Sequence, residues 1–324
     1  MIVLGIESSA HTFGAGIVES GHVLANEKAM YSVGTRGIIP AQVASFHAKH
    51  AAAVIKKALD KAGLKATDID GIGYTKGPGI GTCLQIGMLA AKTLAYELNI
   101  SILPINHAVA HIEIAKHFAK LHDPVALYVS GGNSQILKLD KEHMRYAVMG
   151  ETFDIGIGNM LDNFARAAGL KPAWGSTVAE MAKKGSFVSL PYTVKGMDFT
   201  FTGLLTNAIK KVGNVPLPDL CFSIQEVGFS MLCEATERAL LLTKSKELCV
   251  CGGVAQSERL KEMLGKLADE HGIKFGYAPN EYNADNGAMI AYVAEKGISK
   301  GKAISPQACT IKQKYRIEEA EVWQ

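Results

Sequence analysis

No stretch of these 324 residues is apolar for the ~20 positions that a membrane-crossing helix needs. The most apolar run, residues 86–95, is interrupted by Lys92 and Thr93. The opening Met1-Ile2-Val3-Leu4-Gly5 has no basic region and no cleavage site, so it reads as a first β-strand rather than a signal peptide. Both absences set the expectation of a cytoplasmic protein with no membrane partner. Cysteine is sparse, and Cys83, Cys221, Cys233, Cys249, Cys251 and Cys309 form no CxxC pair. With no cysteines at finger spacing to pair with histidines, no zinc finger is expected, and the six are expected as reduced core residues. Charge imbalance is almost missing too. The net charge of +3 is too small to argue for nucleic acid by itself. Local basic groups at Lys56-Lys57, Lys183-Lys184, Lys210-Lys211, Lys312, Lys314 and Arg316 read as solvated faces and a charged tail. No Gly-Lys-Ser/Thr follows a glycine loop, which excludes a Walker loop. No GxGxxG with an acid downstream is present, no Ser–His–Asp order stands out, and no cysteine sits in an activating setting.

What is present is an ordinary globular composition, 48% apolar and 20% charged, at a length that suggests two domains of ~150 residues. Residues 1–6, 13–18 and 22–28 read as strands, with Gly21 in the hairpin turn. A helix is expected over 40–62, stopped by Gly63. A strand over 69–75 runs into Gly77-Pro78-Gly79-Ile80-Gly81 and a helix over 82–98. A short strand at 102–105 precedes a helix over 107–121 with Asn106 as its N-cap. The pattern then restarts. Strands are expected at 125–130, 134–139 and 145–149, with helices at 157–168, 178–184, 203–211 and 219–243. A strand at 247–251, a helix over 255–271, a strand at 274–276 and a helix over 284–294 complete the reading. Each half thus reads β–turn–β–β followed by alternating helices and strands. This is a duplicated α/β architecture of residues 1–123 and 124–324, cut at Asp123-Pro124, with a nucleotide cleft expected between the halves.

The motif of most chemical interest is Asn106-His107-Ala108-Val109-Ala110-His111. Histidines four apart share one helix face, with Cβ atoms about 5–6 Å apart, and so reach one metal ion. A structural pair of buried histidines is the alternative. Ala108 stands where a zincin has its general-base glutamate, which excludes a metalloprotease of that form. Two histidines leave a metal site incomplete. Asp285, opening Asp285-Asn286-Gly287-Ala288, and Tyr128 are the candidates to complete it. Glycine turns at residues 77–81, 131–132 and 252–253 each follow a strand. Turns of this kind let backbone amides approach a phosphate, and the first also precedes a helix N-terminus that favours an anion. Plain turns are the alternative. Glu7 ends the first strand, where a carboxylate can orient water, metal or amine, or merely cap the turn. Asp162 is placed to accept hydrogen bonds from ribose hydroxyls, or to face solvent.

Taken together, the blocks Gly5-Ile6-Glu7-Ser8-Ser9-Ala10-His11-Thr12, Lys76-Gly77-Pro78-Gly79, Asn106 to His111, Tyr128-Val129-Ser130-Gly131-Gly132-Asn133-Ser134-Gln135, Gly150-Glu151-Thr152, Gly196-Met197-Asp198 and Asp285 to Ala291 resemble one family along essentially the whole chain. It is the universal tRNA threonylcarbamoyladenosine (t6A) synthesis family, long misnamed O-sialoglycoprotein endopeptidase. The first and YVSGGN blocks resemble its archaeal and eukaryotic branch. The resemblance implies an actin/hexokinase-like (ribonuclease H-like) fold and a metal-dependent acyltransferase. That enzyme transfers threonylcarbamoyl from threonylcarbamoyl-AMP to N6 of the adenosine 3′ of the anticodon, in tRNAs reading codons that begin with adenine. It further implies one iron or zinc ion per subunit at His107, His111, Tyr128 and Asp285. ATP or threonylcarbamoyl-AMP is implied as the nucleotide ligand, held at Tyr128, Val129, Ser130, Gly131, Gly132, Asn133, Asp162, Gly175, Ala179, Gly252, Gly253 and Ser257. Glu7 or His11 would take the proton. The implied partners are tRNA and the other members of a KEOPS complex, a small dimerising subunit and a kinase. In some archaea the family is fused to that kinase, so a longer protein extending past Trp323-Gln324 is one expectation.

Departures from the family pattern fall on the nucleotide side. Ala173-Trp174-Gly175-Ser176 replaces a PGGP-type segment, and Ala179 stands where a ribose-binding glutamate is usual, with Glu180 next to it. Ser257 replaces an asparagine, Lys76 a glutamine, and Ser8-Ser9 a Gly-Thr pair. An ATPase or sugar kinase of the same fold, and a non-catalytic nucleotide-sensing scaffold, are the competing functions.

Overall fold

The opening strand β1 (Ile2–Glu7) is buried at every position after its first, as a strand covered on both faces must be. It pairs antiparallel with β2 (Thr12–Glu19), which pairs antiparallel with β3 (His22–Met30). Helix α1 (Pro40–Ala62) has proline in its first turn and ends at Gly63, whose φ of 69° is left-handed. Strand β4 (Gly71–Gly77) returns parallel to β1. Helix α2 (Gly81–Leu98) and strand β5 (Ser101–Asn106), parallel to β4, follow. Helix α3 (His107–Ala119) begins directly where β5 stops. The sheet order is β3-β2-β1-β4-β5. In this computed structural model, residues 1–32 and 37–323 are described.

The second sheet repeats the plan. Strand β6 (Val125–Val129) is central, with β7 (Ser134–Asp140) antiparallel to it and β8 (Arg145–Glu151) beyond. Helices α4 (Ile157–Ala167) and α5 (Gly175–Ala182) come next. A ribbon of β9 (Val194–Lys195) and β10 (Asp198–Phe199) leads to helices α6 (Thr202–Lys211) and α7 (Leu217–Thr243). Strand β11 (Glu247–Cys251) lies parallel to β6; after α8 (Glu258–His271), β12 (Lys274–Gly276) lies parallel to β11. A single turn, α9 (Asn280–Asn283), precedes α10 (Gly287–Ser299). The order β8-β7-β6-β11-β12 matches the first sheet strand for strand. This is the duplicated α/β architecture that the sequence implies. The core of this second half gathers Leu127, Phe164, Phe229, Leu232 and Val250, all essentially inaccessible.

Helix α10 belongs to the first sheet because of three missing side chains. Gly16, Gly5 and Gly73 are direct neighbours across β2, β1 and β4. A Cβ on any of them would overlap Ala288, Ala291 or Ala294 of α10. The adjacent Ile6 points to the opposite face, where Gly87 of α2 approaches it. The first unit therefore comprises Met1–Ile114, Asp140–Tyr146 and Ala284–Gln324, and the second Ala115–Leu139 and Ala147–Asn283. The units are discontinuous in sequence, where the pattern suggests a single cut at Asp123-Pro124. Helices α8 and α10 begin later than their periodicity suggests, because Ser257 and Asn286 are their N-caps. The ribbon β9–β10 and helix α9 are too short to leave a periodic signal. All six cysteines are free, and only Cys233 is not fully buried. Among the described residues, no helix is long and apolar enough to cross a membrane.

Candidate functional site

Glu7 stands at the end of β1, wholly buried. Its Oε1 accepts a hydrogen bond from the Ser9 N–H at 2.6 Å. Its Oε2 accepts from the Thr75 hydroxyl on the neighbouring β4 at 2.7 Å and lies 3.0 Å from His107 Nδ1. An ionised carboxylate only accepts, so Nδ1 of His107 carries the hydrogen and Nε2 faces away from Glu7.

Asn106 starts α3 as expected, its Oδ1 accepting from Ala108 N–H at 2.9 Å and Val109 N–H at 3.2 Å. One helical turn separates His107 from His111, and both are buried. Their rings meet edge to face, with centroids 4.6 Å apart. Asp285 comes from the other end of the chain. Asn286 caps α10 by accepting from Met289 N–H at 2.9 Å, so Asp285 lies just before the helix rather than opening it. Asp285 Oδ1 is 3.3 Å from His111 Nε2 and 3.5 Å from His107 Nε2.

Charge is concentrated here. Burial pulls the His107 imidazole down, but Glu7 and Asp285 outweigh it and raise its pKa to about 9. Burial pushes the Glu7 carboxyl up, but His107 more than offsets that and holds it below its ordinary value. Asp285 follows the same logic: burial opposes ionisation, and His107 and His111 hold it well below the carboxylate range. Burial keeps His111 below an ordinary imidazole. His11 is half-buried and near enough for its charge to act on Asp285.

This donor set fits a metal ion. One ligand atom from each of His107, His111 and Asp285 lies within 4.8 Å of the others. Metal–ligand bonds of about 2.0–2.1 Å in a tetrahedron place neighbouring ligands about 3.3 Å apart, close to both Asp285–histidine distances. A carboxylate on the far ring nitrogen, as Glu7 provides, is the usual support for a ligating histidine. Three protein ligands are what a site with an open position has.

The remaining residues singled out from sequence gather in the second unit. Parallel β6 and β11 place Tyr128 beside Cys251, so the turns that follow them start side by side. Tyr128 and Val129 are buried at the end of β6. In the next turn Ser130 N–H donates to the Asn133 carbonyl at 2.8 Å, and Asn133 N–H to Ser130 Oγ at 3.0 Å. Gly131 and Gly132 are exposed. The Asn159 N–H donates to the Gly131 carbonyl at 2.9 Å, so the first turn of α4 rests on this loop. Gly252, at φ 95°, packs against the Val129 carbonyl, where a side chain would overlap, while Gly253 is exposed. Ser257 Oγ caps α8. Asp162 on α4 accepts from Gly175 N–H at 2.7 Å and so holds the start of α5, which carries Ala179. Glu180 is exposed and paired with Lys183 at 2.8 Å.

The glycine turn at residues 77–81 has a different use from the anion seat its sequence suggests. Gly79 N–H donates to the Gln313 carbonyl at 3.1 Å and Ile80 N–H to the Ser9 carbonyl at 2.7 Å. A Cβ at Gly77 would overlap the Lys312 carbonyl. The turn is a seat for the C-terminal segment. Sequence reasoning also misses Thr75 and Ser9, whose contacts with Glu7 depend on strand register and turn geometry. Gly156 and Gly158, by contrast, leave a readable signal: closely spaced glycines where α4 packs on the turn at Gly131-Gly132.

The family model described as tRNA N6-adenosine threonylcarbamoyltransferase matches residues 21–292. The chain is 45% identical over 325 residues to the tRNA N6-adenosine threonylcarbamoyltransferase of Thermococcus sibiricus, covering 99% of both. It is 43% identical to a probable bifunctional tRNA threonylcarbamoyladenosine biosynthesis protein of Thermoplasma volcanium, covering 99% of this chain and 61% of that one. Among solved structures, HypF of T. kodakarensis matches with a TM-score of 0.63 at 14% identity, over 93% of this chain and 48% of its own. The activator of 2-hydroxyisocaproyl-CoA dehydratase from Clostridium difficile, with ADPNP bound, matches with a TM-score of 0.56 at 14% identity, over 96% and 100%. At such identities these two speak for the fold alone, the actin/hexokinase-like one that the twin sheets display. On the full-length matches, the chain belongs to the tRNA N6-adenosine threonylcarbamoyltransferase family of enzymes.

Proposed function

We propose that this enzyme transfers the threonylcarbamoyl group of threonylcarbamoyl-AMP to N6 of the adenosine 3′ of the anticodon, in tRNAs reading codons that begin with adenine. The observation that carries this is the likeness to threonylcarbamoyltransferases along 99% of the chain. The reaction is acyl transfer. The N6 amine attacks the carbamoyl carbonyl, a carbon–nitrogen bond forms, the bond to the phosphate oxygen breaks, AMP leaves, and N6 gives up a proton.

In this reading the backbone amides of Gly131 and Gly132, flanked by Ser130 and Asn133, hold the phosphate. Gly252, Gly253 and Ser257 border the same nucleotide, as do Tyr128 and Val129 at the strand end. Asp162 and Gly175 face its ribose, and Ala179 supplies no carboxylate there. His107, His111 and Asp285 would hold one iron or zinc ion. Such an ion would supply Lewis-acid polarisation to the reacting carbamoyl group. Glu7, with both oxygens engaged, orients His107, while half-buried His11 is the better placed acceptor for the proton. Holding amine and carbonyl together supplies much of the rate.

The enzyme works in the cytoplasm with tRNA and with KEOPS-type partners, a small dimerising subunit and a kinase. Support comes from the bifunctional relative, of which this chain matches 61%. The test is a reconstituted reaction with partners, threonylcarbamoyl-AMP and tRNA, comparing wild type with His107→Ala/His111→Ala. The double variant should lose metal and tRNA modification together. Full modification by metal-free protein would sink the metal assignment. Sugar phosphorylation without any transfer to tRNA would favour the kinase reading.

A further inference from the structure

Residues 310–316 cross the first unit as a strap whose backbone is gripped by hydrogen bonds from backbone and side-chain groups of that unit. The Tyr74 hydroxyl donates to the Thr310 carbonyl at 2.9 Å, and Lys312 N–H donates to the Lys76 carbonyl at 2.8 Å. Gly79 N–H donates to the Gln313 carbonyl at 3.1 Å. Asn106 Nδ2 donates to the Tyr315 carbonyl at 3.1 Å and lies 3.4 Å from that of Arg316. A cavity of 280 Å³, lined by Asn106, Val109, Arg145, Tyr315 and Trp323 among others, lies beside the Tyr315 end of the strap.

Two routes lead from this strap to one histidine. The first is Asn106, which grips the strap with its amide nitrogen and the first turn of α3 with its amide oxygen. His107 is the next residue. The second runs through the glycine turn. Gln313 holds Gly79, Ile80 N–H donates to the Ser9 carbonyl, Ser9 N–H donates to Glu7, and Glu7 holds the His107 ring. One route sets the backbone position of His107 and the other sets its ring orientation. We propose that the strap at residues 310–316 is a positioning element for the metal centre, acting on His107 through Asn106 and through Ser9–Glu7. Asn106 is its principal link. The inference rests on reading His107, His111 and Asp285 as metal ligands.

The test uses full-length, metal-stripped protein titrated with Co2+ alone, followed by its visible absorption, and with Zn2+ in competition. Asn106→Ser keeps an oxygen to cap α3 and removes the donor to the strap. Gly77→Ala keeps the Asn106 side chain and pushes against the strap at the Lys312 carbonyl. Each variant should bind Co2+ about 10–100-fold more weakly, the usual effect of losing an outer support, and show a changed Co2+ spectrum. Metal-free Asn106→Ser should melt close to wild type, which a merely structural role of the strap contact would not predict. If Gly77→Ala fails to fold, Asn106→Ser decides. Unchanged Co2+ affinity and spectrum in Asn106→Ser overturn the proposal while leaving the metal centre standing. A wild-type protein that binds neither ion overturns the metal reading and this inference with it.

Discussion

Glu7 and His107, a hundred positions apart in the chain, share a contact of 3.0 Å between Oε2 and Nδ1 in which the carboxylate is wholly buried. A charge taken so far from water stays ionised only when paired and hydrogen-bonded. Glu7 has three such partners, Ser9, Thr75 and His107. Replacing Glu7 by glutamine keeps the shape and removes the charge. The His107 pKa should then fall from about 9 toward that of an ordinary imidazole. An NMR pH titration of the metal-free variant reads this directly, and an unmoved value would mean that Asp285 alone raises it. Above about pH 9, where no proton competes for His107, metal affinity should drop about 10–100-fold in the same variant.

Metal loading should depend on pH with a defined sign. The His107 pKa is raised, so the metal-free protein carries that proton below about pH 9. A metal ion on Nε2 must displace it, releasing one proton. Apparent affinity should therefore rise about tenfold per pH unit and flatten above about pH 9. Calorimetry in buffers of different ionisation enthalpy counts the proton. Affinity that is flat between about pH 7 and 8.5 would contradict a centre that uses this nitrogen.

Gly16→Ala tests the seating of α10. The added methyl would overlap the Ala288 backbone, which has no flexible side chain to yield. Overpacking costs about 1–3 kcal/mol, and more where backbone must move. Urea unfolding should show a loss in that range or beyond. Weaker metal binding should accompany it, because Asp285 immediately precedes the displaced helix.

Gly132→Ala separates binding from folding. Nothing lies within 4 Å of the added Cβ, so stability should change by no more than about 0.5 kcal/mol. If a phosphate approaches the backbone there, the methyl blocks amides worth about 1.5–3 kcal/mol for a charged partner. Titration with ATP or AMP should then show at least a tenfold loss, as ~1.4 kcal/mol corresponds to tenfold. Equal binding would move the nucleotide away from this turn.

Much of this was legible in the residues alone, because the signals are local. Apolar runs mark β1 and β6, Gly63 ends α1, Asn106 caps α3, and four-residue spacing puts His107 and His111 on one face. What stayed hidden depends on strand register. Gly5, Gly16 and Gly73 become one row only after β2, β1 and β4 are aligned, and Thr75 meets Glu7 for the same reason. The strap at residues 310–316 shows no periodicity and reads as a charged tail, since its work is done by backbone groups and not by a side-chain pattern.

The discontinuity of the first unit has a consequence for biosynthesis. Residues 1–114 leave the ribosome with the glycine row of their sheet uncovered, because α10 is encoded after the whole second unit. The nascent first sheet must wait through the translation of about 170 residues, at roughly 5–20 residues per second, before its covering helix and Asp285 arrive. Until then His107 and His111 stand without the carboxylate that faces them in the finished fold, and the buried cluster they form with Asp285 is completed only among the last residues to be made.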